Sequence, residues 1–201
     1  MMDTQDPGRN TALLGAMVDA LEEHLASEDL SREVVAETRE GPVPATMTLG
    51  MVIGLVRALE REMPNMLPLE RERADAAFSR FERERRVHLA AYGDKMRREI
   101  AADLEAWQRF LEACEGGEDA CFEAYVSEAW IRTRLQQLFQ EAHSLGIDLG
   151  ELRERRVEVD DRLRGLFRLG DFIGDADEAP FYPAEEYWWL YGGPMAPAAP
   201  G

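Results

Sequence analysis

The longest regular hydrophobic pattern in this sequence runs from Pro68 to Cys114. Apolar or aromatic residues recur there at every third or fourth position: Phe78, Phe81, His88 or Leu89, Tyr92, Met96, Ile100, Leu104, Trp107, Leu111 and Cys114. Such spacing aligns the side chains along one face of an α-helix. Pro68 suits a first helical turn, and the glycines at 116 and 117 suit an end. The pattern predicts one long helix, which is either continuous or bent near Gly93.

Two further helical patterns follow this stretch. The acidic residues 118 and 119 begin one that stops at Gly146, and Asp148 begins another. In the second of these patterns, the apolar residues follow a spacing of alternately three and four positions, which is typical of helices that pack side by side. The residues in this pattern are Leu149, Leu152, Val159, Leu163 and Leu166. Because short connections favour antiparallel neighbours, residues 67–170 are predicted to form a long antiparallel helical hairpin or three-helix bundle.

Residues 1–66 are predicted to form an N-terminal helical region. Apolar stripes indicate helices over about residues 10–27 and 28–37, and the prolines at 42 and 44 then break the chain. Thr46 or Thr48 starts a third helix that ends before Pro64; a strand over residues 51–56 is the alternative. Since no βαβ alternation occurs, the predicted fold class is all-α, with this N-terminal subdomain and an aromatic C-terminal tail.

The C-terminal tail, residues 171–201, combines acidic residues, prolines and a concentration of aromatic side chains. The aromatic residues are Phe181, Tyr182, Tyr187, Trp188, Trp189 and Tyr191. Large aromatics carry much of the energy where peptides dock, and an exposed cluster of them favours aggregation. We therefore consider three interpretations: the tail packs on the chain's own bundle, it docks onto another protein, or it forms part of a ligand pocket.

Charge narrows the range of partners. The net charge is −17, and residues 1–66 carry 5 arginines against 12 acidic residues, while residues 171–201 carry 6 acids and no base. Such a field disfavours nonspecific binding to nucleic acid or an anionic membrane and favours a basic protein partner. The most apolar run, residues 49–59, is too short to span a bilayer. With no recognisable signal peptide, the expectation is a cytoplasmic protein.

Candidate chemical sites are sparse. The three histidines, His24, His88 and His143, lie on different predicted helices, and a bundle that gathered them would form a metal site. Their spacing to nearby glutamates does not match the Glu-x-x-His of di-iron bundles. Cys114 and Cys121 flank a predicted turn, so a disulfide is geometrically conceivable, but cytosolic thiols are usually reduced. Two free thiols are the expectation.

No recognised catalytic or nucleotide-binding motif is present, so the sequence favours no enzyme and no cofactor. The interpretation that fits best is a non-catalytic helical interaction or scaffold protein that recognises a protein partner. A helical-bundle protein that binds a ligand or metal is the alternative, and an acidic mimic of nucleic acid that binds a basic protein is the third. Arg156, at a seam position of its helix, makes a homodimer a reasonable hypothesis.

Overall fold

The computed structural model describes residues 6–116 and 119–194, and the chain in these ranges is mostly helical. The α-helices are α1 Pro7–Asp19, α2 Leu21–Ala26, α3 Leu49–Glu62, α4 Pro68–Val87, α5 Leu89–Glu115, α6 Asp119–Ser144 and α7 Leu152–Leu166. The strands are β1 Arg32–Thr38, β2 Gly41–Met47, β3 Phe167–Phe172 and β4 Tyr191–Pro194. Single 3-10 turns cover Met63–Asn65, Ala176–Phe181 and Trp188–Leu190. The predicted predominance of helix is confirmed, whereas the all-α prediction is wrong in detail because β1–β2 and β3–β4 form two antiparallel sheets.

The chain divides into two compact units. The first takes residues 1–99 and 137–147, and the second takes residues 100–136 and 148–201. Each unit therefore contains part of α5 and part of α6, and residues 67–170, which were predicted to form one bundle, are divided between the two units. The first unit holds β1–β2 with α1 to α4, and the second holds α7 with β3–β4.

The helix predicted over residues 28–37 is wrong, because most of this stretch is β1. Val34 and Ala36 are buried while Glu33, Val35 and Glu37 are exposed, which is the period of two that a strand imposes. Residues 39 and 40 form a two-residue turn into β2, and Gly41 follows it with φ +116°. Adjacent β-branched valines favour a strand, and the predicted helix would have buried Val35, which is 57% exposed.

The long helical stretch is interrupted at His88 and not at Gly93. His88 ends α4 with φ −106° and ψ 28°, whereas Gly93 is a buried residue within α5. The predicted stripe is confirmed along α5, where every member from Tyr92 to Cys114 is buried. Before the interruption the pattern is less regular, since Phe81 is buried but Phe78 is only half-buried.

Helix α3 begins where a threonine was expected to cap it. The Thr48 hydroxyl accepts a hydrogen bond from the backbone N–H of Met51 at 3.2 Å. The Glu99 carboxylate, from α5, accepts from the first two N–H groups of the helix, those of Leu49 and Gly50, at 2.8 Å each. A negative group at this position also matches the positive end of the helix dipole. This buried cap ties α3 to α5 within the first unit.

The predicted aromatic tail is a folded part of the second unit over its described residues. Strand β4 pairs with β3, and Gly192 lies opposite Leu169. A Cβ at Gly192 would come within 2.1 Å of the Arg168 carbonyl oxygen, and its φ is +139°, so this position requires glycine. Among the described residues, no helix is both long and apolar enough to cross a membrane.

Candidate functional site

The aromatic residues singled out in the sequence pack largely into the core of their own unit. Tyr182, Tyr187 and Trp189 are buried, Trp188 and Tyr191 are half-buried, and Phe181 is 47% exposed. All of them except Phe181 belong to or pack against a shared cluster that includes Trp107, Leu111, Tyr125, Ala129, Val159 and Leu163. Most of their apolar surface therefore contributes to folding of the second unit and is not open to a partner.

Trp189 makes two hydrogen bonds and a cation–π contact in addition to its hydrophobic packing. Its indole N–H donates to the Thr133 hydroxyl at 3.0 Å, and its carbonyl oxygen accepts from the Tyr125 hydroxyl at 2.6 Å. The guanidinium carbon of Arg132 lies 4.0 Å from the centre of the indole ring, which is close enough for a cation–π interaction. Trp189 therefore anchors the C-terminal segment to α6.

Arg132 also forms a buried ion pair with Asp160 of α7. Its Nε and Nη2 donate to the two carboxylate oxygens at 2.9 and 2.7 Å, and the arginine is 1% exposed. Arg156, on the same helix as Asp160, is half-buried, and its pKa is lowered mainly by burial and next by the charge of Arg132. The seam position that suggested a homodimer thus lies near this internal pair.

The three histidines do not come together in the structure. His24 is buried in α2, His88 ends α4 with its Nε2 3.7 Å from Glu84, and His143 is exposed on α6. Over residues 6–116 and 119–194, no group of three or more histidine, cysteine, aspartate or glutamate side chains is arranged to hold a metal ion.

Cys114 and Cys121 are joined by a disulfide, which differs from the two free thiols expected of them. Their Cα atoms are 5.1 Å apart, and both residues are buried in the second unit. The physical reason is that the end of α5 and the beginning of α6 bring the two residues within bonding reach across a seven-residue separation.

A second polar centre, in the first unit, consists of His24 and Lys95. Both are fully buried, and the Lys95 ammonium donates to the carbonyls of Ser27 and Asp29 at 2.9 and 2.6 Å and to the Ser27 hydroxyl at 3.2 Å. Burial, followed by the charges of Lys95 and Arg32, lowers the pKa of His24 to about 4. The centre fixes the connection between α2 and β1, and both side chains are shielded from solvent.

A more open feature lies between α1 and β1, and we name it the α1–β1 groove. It has a volume of about 630 Å³ and continues into a neighbouring cleft of about 420 Å³ that shares Ala12 and Glu37 with it. The helix side of the groove is lined by small residues, which leave room beside the strand: Ala12, Gly15, Ala16 and Ala20. Its charged residues are Asp19, Glu23, Arg32, Glu33 and Glu37.

The charges of the groove are only partly neutralised. Glu23 pairs with Arg32, and Asp19 pairs with Arg80 of α4. Glu33 accepts a hydrogen bond from the neutral Thr46 hydroxyl at 2.7 Å, and Glu37 has no ion-pair partner in the part of the chain that the structure describes. Two exposed carboxylates on β1 thus face the groove without an ion pair among the described residues, and Glu37 also borders the neighbouring cleft, whose lining includes Arg9, Arg39 and Arg73.

Comparisons with protein-family models, curated proteins and solved structures find no match for this chain.

Sequence reasoning missed this groove because it assigned β1 to a helix. The sequence signal was weak: the adjacent valines at 34 and 35 favour a strand, but the apolar Val35 interrupts an apolar–polar alternation over residues 33–37. What the sequence could not supply was the position of α1 beside the strand.

Proposed function

We propose that this chain is a non-catalytic interaction protein that binds a basic, extended segment of a partner protein in the α1–β1 groove. The charge of the groove carries the proposal: of the four carboxylates that line it, Glu23 and Asp19 pair with Arg32 and Arg80. Glu33 and Glu37 are left without an ion pair among the described residues. A bound segment with arginine or lysine side chains would supply the missing positive charges.

The dimensions of the groove support the same proposal. The groove is open to solvent along the strand, and the small residues of α1 leave room for an extended backbone to approach β1. Exposed opposite charges mainly raise the association rate and the specificity, and salt screens them. We therefore expect weak binding that declines as ionic strength rises.

The test measures fluorescence anisotropy of a labelled heptapeptide, Thr-Arg-Thr-Val-Thr-Arg-Thr, titrated with the full chain. The variant Glu37→Gln should weaken binding by roughly threefold, because an exposed ion pair contributes about 0.2–1 kcal/mol. Glu60→Gln removes the same charge from an exposed site on α3 outside the groove and should leave binding unchanged. Raising the salt concentration should weaken binding of the arginine peptide further.

A peptide with glutamate in place of arginine should not bind. The proposal is wrong if neither the arginine heptapeptide nor a shuffled peptide of the same composition binds at low salt. It is also wrong if Glu37→Gln and Glu60→Gln weaken binding equally, since that result indicates a general response to net charge.

A further inference from the structure

The β1–β2 hairpin has two different edges, and its prolines identify them. Pro42 lies opposite Glu37, and Pro44 lies opposite Val35. Proline has no N–H to donate, so both positions belong to the pairs that do not exchange hydrogen bonds across the hairpin. The outer edge of β2 therefore lacks two of the donors that an additional strand would need, and it is blocked to strand pairing.

The same register leaves the outer edge of β1 open. In pairs that do not exchange hydrogen bonds, the backbone groups point away from the partner strand. The N–H and C=O groups of Val35 and Glu37, and by the same period of two those of Glu33, therefore point outward. No backbone hydrogen bond from these three residues to a loop or helix occurs in the described ranges. All three residues also line the α1–β1 groove.

We propose that the bound segment adds to β1 as a further β-strand, and this inference rests on the function proposed above. The segment would place basic side chains beside Glu33 and Glu37 and an apolar side chain beside Val35, which is 57% exposed. The recognised pattern is thus basic-x-apolar-x-basic. Backbone hydrogen bonds to β1 provide the attachment, and the alternating side chains provide the specificity.

A second copy of this chain is a less suitable occupant than a basic segment. Antiparallel pairing of two β1 strands about Val35 would put Glu33 of each copy directly opposite Glu37 of the other. Like charges in opposite positions destabilise a strand pair. A basic segment converts the same two positions into favourable cross-strand pairs, so charge complementarity selects it.

The first test separates the backbone contribution from the charge contribution. The heptapeptide Thr-Arg-Thr-Val-Thr-Arg-Thr carries arginine and valine on one face of a strand, whereas Thr-Thr-Arg-Val-Arg-Thr-Thr has the same composition with the arginines on the opposite face. We expect the first peptide to bind about fivefold more tightly. Equal binding of both peptides would overturn the strand register while leaving basic-segment recognition intact.

Backbone N-methylation of the first peptide gives a sharper test. Methylating the amides of peptide positions 2, 4 and 6, or those of positions 3, 5 and 7, removes three donors in each case, but only one of these sets faces β1. One methylated peptide should therefore lose binding at least about tenfold, and the other should bind within about twofold of the parent. Strand addition is wrong if both sets are tolerated, or if both reduce binding equally.

The matching protein variant is Val35→Pro. It removes the outward N–H of Val35, whereas the ladder to β2 does not use that donor, because Val35 lies opposite Pro44. Val35→Thr keeps the N–H and strand propensity and is the control. We expect Val35→Pro to weaken peptide binding about tenfold and Val35→Thr to change it less than twofold.

Hydrogen exchange on the unaltered chain provides a readout that does not depend on how the proline variant folds. On addition of the first heptapeptide, the amides of Glu33, Val35 and Glu37 should become protected, whereas those of Val34 and Ala36 should already be protected by β2. Binding without protection of the first three amides would overturn strand addition but not the proposed function.

Discussion

At the scale of single residues, the first unit depends on a buried cationic centre. Lys95 is the only lysine in the chain, and its ammonium is fully buried with three acceptors from residues 27–29. An ammonium has three N–H donors, so this geometry satisfies each of them. A neighbouring neutral His24 avoids a second buried positive charge, which explains the direction of its pKa shift.

The buried His24 predicts a specific dependence of stability on pH. Because its pKa falls from the usual 6.5 to about 4 on folding, its contribution to the free energy of unfolding is complete above pH 6.5 and is lost as the pH falls towards 4. The loss amounts to up to about 3 kcal/mol. Urea unfolding at pH 7 and pH 4.5 measures how far the free energy of unfolding falls in acid. In His24→Met this fall should be about 2 kcal/mol smaller than in the unaltered chain.

His143→Gln is the control for this measurement, because His143 is exposed. Its pH dependence should match that of the unaltered chain. The groups that face His24 in the fold are Lys95 and Arg98 of α5, Arg32 of β1 and Asp29 of the preceding loop. An unaltered pH dependence in His24→Met would show that burial of this imidazole is not what destabilises the chain in acid.

At the scale of secondary-structure elements, α6 and α7 are connected by the buried pair of Arg132 and Asp160. Removing one partner of such a pair leaves an uncompensated charge in the interior. Asp160 and Asp161 are adjacent in sequence, yet Asp160 is buried, whereas Asp161 is exposed and pairs with Arg164 on the same helix. Because successive residues of a helix point in different directions, these two neighbouring aspartates lie in different environments.

This difference predicts unequal effects of two neighbouring substitutions. Asp160→Ala should lower the free energy of unfolding by about 3–5 kcal/mol, because it leaves Arg132 buried without its carboxylate. Asp161→Ala should cost less than about 1 kcal/mol, as an exposed pair does. Chemical denaturation followed by circular dichroism measures both, and similar effects of the two would contradict the importance of the buried pair.

Elements with a long, regular hydrophobic repeat could be predicted from the sequence, whereas short elements without one could not. The stripe from Tyr92 to Cys114 identified α5 because one repeat persisted over many turns. The cap of α3 was predicted to be Thr46 or Thr48, because a cap needs only a local hydrogen bond, and the structure shows Thr48 in this role. By contrast, β1 has seven residues, and its apolar positions suited a short helix as well as a strand. Only its pairing with β2 decided between them.

At the scale of the whole molecule, the described C-terminal segment is part of the second unit's core. Trp189 contributes a fully buried indole with hydrogen bonds to α6, and Leu190 is also buried. The neighbouring Phe181 leaves nearly half of its surface exposed. The unit therefore depends on a contact between residues that are about 60 positions apart, such as Tyr125 with Trp189.

Deleting residues 179–201 should lower the melting temperature by several degrees or more, because it removes several buried aromatic side chains. The point variant Trp189→Ala should reproduce much of this loss, since truncation of a buried aromatic costs about 3–5 kcal/mol. Phe181→Ala should cost much less. Differential scanning calorimetry compares the three, and an unchanged melting temperature in the deletion would contradict packing in cis.

The sequence alone determined the features that depend on local periodicity and on charge. These are the predominance of helix, the buried face of α5, a threonine cap for α3 and the acidic net charge. Periodicity could determine them because a helix repeats its environment every few residues.

Only the tertiary structure decided which distant residues meet. It paired Arg132 with Asp160, joined the two cysteines, buried the aromatic segment in cis and set α1 beside the open edge of β1. The physical reason is that such contacts depend on the packing of elements far apart in the chain, and no local pattern encodes that packing. The groove that carries the proposed function is one of these contacts.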